Sequence, residues 1–267
     1  MRVYYNDHDP YCVQWLRNLI EKGLLPDGDV DDRDIRDVRQ EDLRGYRQVH
    51  FFAGLGGWPY ALRLAEWPSD REVWTGSCPC QPFSSAGAQR GHADERHLWP
   101  AFYGLISECR PPIVFGEQVA GADGREWLSA VRLDLEAAGY AVGAADLPAA
   151  GVGAWHARQR LWFVANAADG LRREIGGSLE SGTAASRREA AQRTVREGLR
   201  NAGDGGPAAR DWWAAEPNVG RVADGVSVCV DQQRALGNAI VPQVAAEFIS
   251  AARDAIGLQK KRTSDHG

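Results

Sequence analysis

The stretch Val49-His50-Phe51-Phe52 runs into Ala53-Gly54-Leu55-Gly56-Gly57, and Trp58-Pro59-Tyr60-Ala61-Leu62 then opens a helical pattern. β-prone residues, a glycine-rich turn and helix formers in that order describe a strand, a tight turn and a helix. A chain built on this unit is committed to packing helices against a sheet. In open α/β sheets such a turn lies at the carboxyl end of a strand, where nucleotide-like ligands bind. The glycine spacing is not that of the dinucleotide fingerprint, and the turn serves equally well simply to let the helix approach the strand.

Similar units recur along the chain. Val3-Tyr4-Tyr5 is a short strand, followed by Asp9 as N-cap, Pro10 in the first helical position, and Cys12, Leu16, Leu19 and Ile20 on one helical face ending at Gly23. Residues 27–37 are rich in aspartate, and Asp34-Ile35-Arg36-Asp37-Val38 is expected to form a strand edge. Glu72-Val73-Trp74-Thr75 is another strand, Leu98 to Cys109 a helix, and Ile113-Val114-Phe115 a strand ending at Gly116-Glu117-Gln118-Val119. Leu128, Val131 and Leu135 mark a helix stopped by Gly139, and Tyr140-Ala141-Val142 and Leu161-Trp162-Phe163-Val164 are strands. This alternation predicts a mostly parallel sheet covered on both faces. The final helix carries Pro242 in its first turn and an apolar stripe from Val241 to Ala252.

Between these elements, Gly76-Ser77-Cys78-Pro79-Cys80-Gln81-Pro82-Phe83-Ser84 places a thiol between two prolines, just after a strand. Prolines stiffen the backbone and cannot extend a ladder, so the segment is a rigid turn presenting a side chain. Cys80 is a candidate nucleophile; the alternative is a buried structural thiol. A Cys-Pro-Cys zinc site needs about four ligands, and no second cysteine pair exists. A Cys-His hydrolase could recruit His92, His97 or His156, but it leaves Glu117, the glycine turn and residues 237–239 without a role.

Taken together, FAGLGG at 52–57, PCQPFS at 79–84, EQV at 117–119, RQR at 158–160 and RALGNAIVPQVA at 234–245 resemble the DNA cytosine-5 methyltransferases. The resemblance implies a Rossmann-like S-adenosylmethionine-dependent sheet with helices on both faces, plus a small irregular target-recognition region. It assigns the catalytic thiolate to Cys80, the group at cytosine N3 to Glu117, and the clamp on the cytosine carbonyl oxygen to Arg160 with Arg158 in support. For S-adenosyl-L-methionine it implies Phe52, Ala53, Gly54, Leu55, Gly56 and Gly57 at the adenine and methionine portions, and Asp7 with His8 at the ribose. Asp34 and Ile35 then match the adenine position, while Pro79, Asn238 and Ala239 close the pocket. Gln81, Ser84, Ser85, Gln89 and Arg90 are expected to face the DNA, the 84–90 loop closing behind a flipped base.

Three departures stand out. The ribose and adenine blocks precede the glycine turn instead of following it, as if one β-α-β unit had moved to the N-terminus. Gln118 stands where asparagine is usual, and His156 where glutamine usually precedes the arginines. Each block nevertheless keeps its own strand end, so the sheet is expected to be equivalent in space.

The resulting division is 1–165 for catalysis and cofactor binding, 166–215 for target recognition, 216–257 returning to the first domain, and 258–267 as a tail. Residues 166–210 hold few large apolar side chains and eight arginines against six acids, too mild a balance for a basic arm. The expected partner is double-stranded DNA, acted on by a monomer with or without a cognate restriction endonuclease. An RNA cytosine-5 methyltransferase and a catalytically silent DNA-binding regulator are the competing readings. No metal is expected. No apolar run approaches the roughly 20 residues that cross a bilayer, the N-terminus lacks the apolar core of a signal peptide, and five cysteines fit a reducing cytoplasm in a prokaryotic or phage-infected cell. The net charge of −5 does not exclude a DNA enzyme, because the electrostatic footprint is local to one face.

Overall fold

The computed structural model describes residues 2–79, 98–167 and 235–257. Its centre is a seven-stranded sheet in the order β2-β1-β3-β4-β5-β7-β6. β1 (Val3–Asn6), β2 (Gly28–Asp31), β3 (Gln48–Phe51), β4 (Val73–Gly76) and β5 (Ile113–Val119) are parallel. β6 (Tyr140–Leu147) and β7 (Arg160–Ala167) form an antiparallel pair, with β7 lying against β5. The predicted mostly parallel, doubly covered sheet is what forms.

Side-chain alternation divides the core in two. Tyr4, Val49, Trp74 and Val114 occupy one register row and face α3 (Trp99–Cys109) and α4 (Ala122–Ala137). The next row, Tyr5, His50, Thr75 and Phe115, points to the other face. That face carries α1 (Pro10–Glu21), α2 (Gly57–Leu64) and α5 (Pro242–Ala255). Two central glycines follow from this packing. A Cβ at Gly76 would meet the Phe102 ring at 2.6 Å, and one at Gly116 would meet the Phe163 ring at 2.2 Å.

The N-terminal rearrangement leaves the sheet intact. β1 lies directly beside β3, with β2 outside it at the edge. The connection β1-α1-β2 moves outward on the α1 face, and β4-α3-β5 moves the opposite way on the opposite face, so the two share one hand. The crossover β3-α2-β4 moves toward β5 on the α1 face and has the other hand. Right-handed crossovers are the overwhelming rule, so among the described residues β3-α2-β4 is an exception. Arg253, 7% exposed, steadies it: its guanidinium Nη1 reaches from α5 to the Ala65 carbonyl at the end of α2 (2.8 Å).

One sequence expectation needs correction. Asp34–Val38 is not a strand edge: Ile35–Asp37 is a 3-10 turn capped by the Asp34 side chain, and Ile35 is buried in the core. The edge strand is instead Gly28–Asp31, inside the acidic run. Its aspartates are tolerated because an edge strand keeps side chains at the solvent boundary, where Asp29 pairs with Arg2 and Asp31 with Arg33. Gly28 is required there, since a Cβ would lie 2.1 Å from the Val3 carbonyl oxygen. β5 ends within the Gly116–Val119 stretch expected from the sequence, pairing with β7 as far as Val119. The target-recognition region expected at 166–215, and the C-terminal segment up to residue 234, fall outside the described residues apart from 166–167.

Candidate active site

Five parallel strands place their carboxyl ends along one edge of the sheet, and β7 begins at that same edge because it runs antiparallel to β5. The turns after β1, β3, β4 and β5 therefore converge with the connection that precedes Arg160.

After β3 the chain turns sharply. Phe52 has φ +52°, Gly54 φ +55° and Gly56 φ +78°, the first a costly value for a residue with a side chain. Phe52 stays half-buried with its ring edge-on to Phe102 at 6.1 Å. Gly54 N–H donates to Asp7 Oδ2 at 2.7 Å, and Ala53 N–H to the Asn6 carbonyl at 3.0 Å. Asp7 Oδ1 accepts from Asp9 N–H at 3.0 Å. The acid at the end of β1 is thus wired to the glycine turn, although 47 residues separate it from Gly54. Burial pushes its carboxyl up, opposed by the two backbone amides. Each Asp7 oxygen keeps a second lone pair, suited to a vicinal pair of hydroxyls. The last block closes on the same turn: a Cβ at Gly57 would meet Ile240 at 2.7 Å.

The other expected cofactor residues are arranged unevenly. Asp34 is committed to Arg36, whose backbone N–H, Nε and Nη2 all reach its carboxylate at 2.7–2.9 Å. That pairing holds the Asp34 carboxyl down at about 2. The Ile35 side chain points into the core, leaving only its backbone for a ligand. His8, Pro79 and Asn238 are exposed, and Ala239 is half-buried.

Glu117 sits where β5 runs past the end of β4, whose last pairing is Gly76 with Gly116. Its carboxyl is almost fully buried, and Arg160 Nε lies 2.9 Å from Oε1. Burial pushes the Glu117 carboxyl above its ordinary value of 4.5, against Arg160, the Ser77 hydroxyl and Arg158, all of which favour ionisation. Arg158, at φ +32°, turns its Nη2 to the carbonyls of Gly237 (2.7 Å) and Ala239 (2.6 Å). One arginine of the pair therefore holds Glu117, while the other fastens the residue 237–239 turn to the sheet edge.

Gln118 explains itself structurally: from a buried position it donates through Nε2 to the Cys78 carbonyl at 3.4 Å, steadying the turn that leads into Cys80. Cys78 is 5% exposed among Leu98, Trp99 and Phe102, and burial pushes its thiol well up. It is a packing residue. Cys80, Gln81, Ser84, Ser85, Gln89 and Arg90 lie outside the described residues. Sequence reasoning did not give roles to Ser77, Trp58 or Arg253, whose hydrogen bonds cross between elements. Among the described residues, no group of three or more His, Cys, Asp or Glu side chains could hold a metal ion, and no helix is long and apolar enough to cross a membrane.

The model of the C-5 cytosine-specific DNA methylase family matches residues 61–204, more than half of the 267-residue chain. The chain belongs to that family. The chain is 35% identical over 96 residues to the type II methyltransferase M.AplI of Arthrospira platensis, a match covering 35% of this chain and 28% of that protein. It is 25% identical to M.HhaI of Haemophilus parahaemolyticus, covering 48% of this chain and 51% of the other. The chain thus spans about half or less of the curated relatives it matches. Its fold resembles the crystal structure of a triple-substituted DNMT2 of Spodoptera frugiperda, with a TM-score of 0.50 at 13% identity over 93% of this chain and 91% of the other.

Membership of the family implies S-adenosylmethionine as methyl donor, and the edge fits it. The strained glycine turn, the Asp7 carboxylate with spare lone pairs and the Ile240 closure form a cradle of the right chemistry.

The state of Glu117 carries a stability signature. A folded-state pKa raised above the unfolded one gives stability that is present below the unfolded value and lost as pH rises through the folded value. Glu117→Gln cannot ionise yet keeps an oxygen for Arg160. Its Tm is therefore expected to gain on the parent as pH rises above 4.5 and to lose that gain on acidification. A difference independent of pH, in parallel thermal melts, would contradict this.

Proposed function

We propose that this methylase transfers a methyl group to carbon 5 of cytosine in double-stranded DNA, through a covalent adduct between Cys80 and carbon 6. The observation that carries the reading is the buried Glu117–Arg160 pair at 2.9 Å, beside the turn that leads to Cys80. Carbon 5 of cytosine is a poor nucleophile. A thiolate that adds to carbon 6 makes it an enamine carbon, provided N3 accepts a proton or a strong hydrogen bond at the same time.

Glu117 suits that task. Burial keeps its proton at pH values where an exposed carboxyl has lost it, and Arg160 fixes the carboxyl at the edge. Arg160 Nη1 donates to the Gln159 carbonyl at 2.8 Å, so Nη2 is the arm that would take the cytosine carbonyl oxygen while Nε holds Glu117, a fork that lysine cannot match. Asp7 would hold the ribose hydroxyls of the cofactor, the Phe52–Gly57 turn its adenine and methionine portions, and the Asn238–Ala239 turn would cover it. S-adenosylmethionine, when bound, supplies an electrophilic methyl group. Loss of the carbon 5 proton to a base then lets the Cys80 thiolate leave and restores the ring. Because carbon 5 and carbon 6 are inaccessible within a duplex, the nucleotide must be flipped out.

The test is nucleoside mass spectrometry after incubating the purified protein and cofactor with unmethylated genomic DNA or with tRNA. The expected product is 5-methyl-2′-deoxycytidine from the DNA. Product only from the tRNA would make this an RNA enzyme, and none from either would leave a silent family member.

A further inference from the structure

Ser77 leaves β4 directly after Gly76, and Gly76 pairs with Gly116. Ser77 and Glu117 are therefore neighbours where β4 stops and β5 runs on. Trp58, at the start of α2, approaches the same point from the α2 face. Its indole lies 6.3 Å from Phe115, two residues before Glu117, and 5.6 Å from Trp162, which pairs with Glu117 across the β5–β7 ladder. Trp58 Nε1 donates to Ser77 Oγ at 3.0 Å. An indole N–H can only donate, so the serine oxygen is the acceptor and its own proton remains to be given. Register sets Ser77 level with Glu117 on the neighbouring strand, and its hydroxyl favours the ionised Glu117 carboxyl. Trp58 thus leaves the Ser77 proton to be turned toward Glu117.

We propose that Ser77, its hydroxyl aimed by Trp58, is the positioning residue that sets the orientation of the Glu117 carboxyl toward the cytosine. The proposal rests on the functional reading above, in which Glu117 acts at N3. Arg160 Nε from β7 holds Oε1, and Ser77 from β4 supplies a second anchor on a different strand. Two anchors on two strands fix the plane of a carboxyl that one would leave free to rotate. The groups facing Glu117 are the Arg160 and Arg158 guanidiniums and this hydroxyl, with the neutral Trp58 indole behind Ser77. A hydroxyl donating to a carboxylate favours ionisation, so Ser77 limits how far burial weakens the acid; an acid too weak is a poor proton donor.

Ser77→Ala is expected to lower kcat about 10-fold while KM for DNA and for S-adenosylmethionine stays unchanged. The alkaline limb of the kcat profile, where Glu117 loses its proton, is expected to move to higher pH. Ser77→Thr, which retains the hydroxyl, should restore both. Trp58→Phe, which keeps the ring and loses the N–H, should move the limb the same way by less. A fall in thermal stability with the limb unmoved would mean that Ser77 is only structural and would overturn the proposal.

Carbon-13 NMR of glutamate-labelled protein reads the contact without activity, the Glu117 signal being identified by its loss in Glu117→Gln. Its titration midpoint is expected to move up in Ser77→Ala, and an unmoved midpoint would overturn the proposal. A moved midpoint in a protein that methylates no DNA would uphold the contact and remove the functional reading instead. Methylation with neither midpoint nor limb moved would do the reverse.

Discussion

Cys80→Ala is expected to lower methyl transfer to DNA by about 10⁴-fold or more while leaving cofactor binding intact. Among the described residues, Glu117 is held by Arg160, and the Cys78 thiol is buried with its ionisation suppressed. A nucleophile whose removal eliminates a reaction path costs far more than a group that only tunes one. Single-turnover transfer of labelled methyl gives the rate, and calorimetry with S-adenosylmethionine shows that the variant is folded. Residual activity within 10-fold of the parent would mean that the methyl group is transferred without Cys80.

Asp7→Ala is expected to weaken S-adenosylmethionine binding about 10- to 100-fold, the range for losing buried hydrogen bonds to a charged group. Asp7 is where the rearranged order is most exposed to test. It lies far upstream of the glycine turn in the chain, yet its Oδ2 accepts from Gly54 N–H at 2.7 Å. If the ribose block has moved with its strand, this carboxylate does its usual work from an unusual position. Both the direct contact and the shape of the Gly54 turn would be lost with it. Unchanged affinity by calorimetry would show that the block before the glycine turn has been misidentified.

The parts of this molecule that were legible in its sequence are those where local chemistry leaves little choice. Asp9-Pro10 starts a helix because a short acid caps and proline needs no N–H there. The Phe52–Gly57 turn declares itself because glycine accepts positive φ. Val49, Trp74 and Val114 fall on buried central strands, where continuous apolar runs are the rule. The edge strand Gly28–Asp31 was missed because its residues are acidic and it is held by one neighbouring strand, with Asp29 paired to Arg2, distant in the chain. Asp34 offered the complementary error, since a carboxylate that caps its own turn and binds Arg36 looks in sequence like any exposed acid.

At the site, the residue types could be read but their wiring could not. Glu117, Arg158 and Arg160 stand out through their motifs. Yet nothing in the sequence says that Arg160 holds the carboxyl while Arg158 fastens the Gly237 and Ala239 carbonyls. Ser77 is one residue from a conspicuous cysteine, and its role depends on an indole 19 positions upstream. Long-range partners of this kind are set by strand register, and register is a property of the whole sheet.

Covalent catalysis by Cys80 at a cytosine ring is the centre of the account, and duplex DNA containing 5-fluorocytosine tests it most directly. Fluorine at carbon 5 cannot be removed as a proton, so a thiolate already added to carbon 6 stays attached once the methyl group has been transferred. With S-adenosylmethionine present, the protein is expected to form a denaturation-resistant complex with such DNA, and peptide mapping should place the linkage at Cys80. No stable complex, from a protein that methylates ordinary cytosine in the same sequence, would contradict the account.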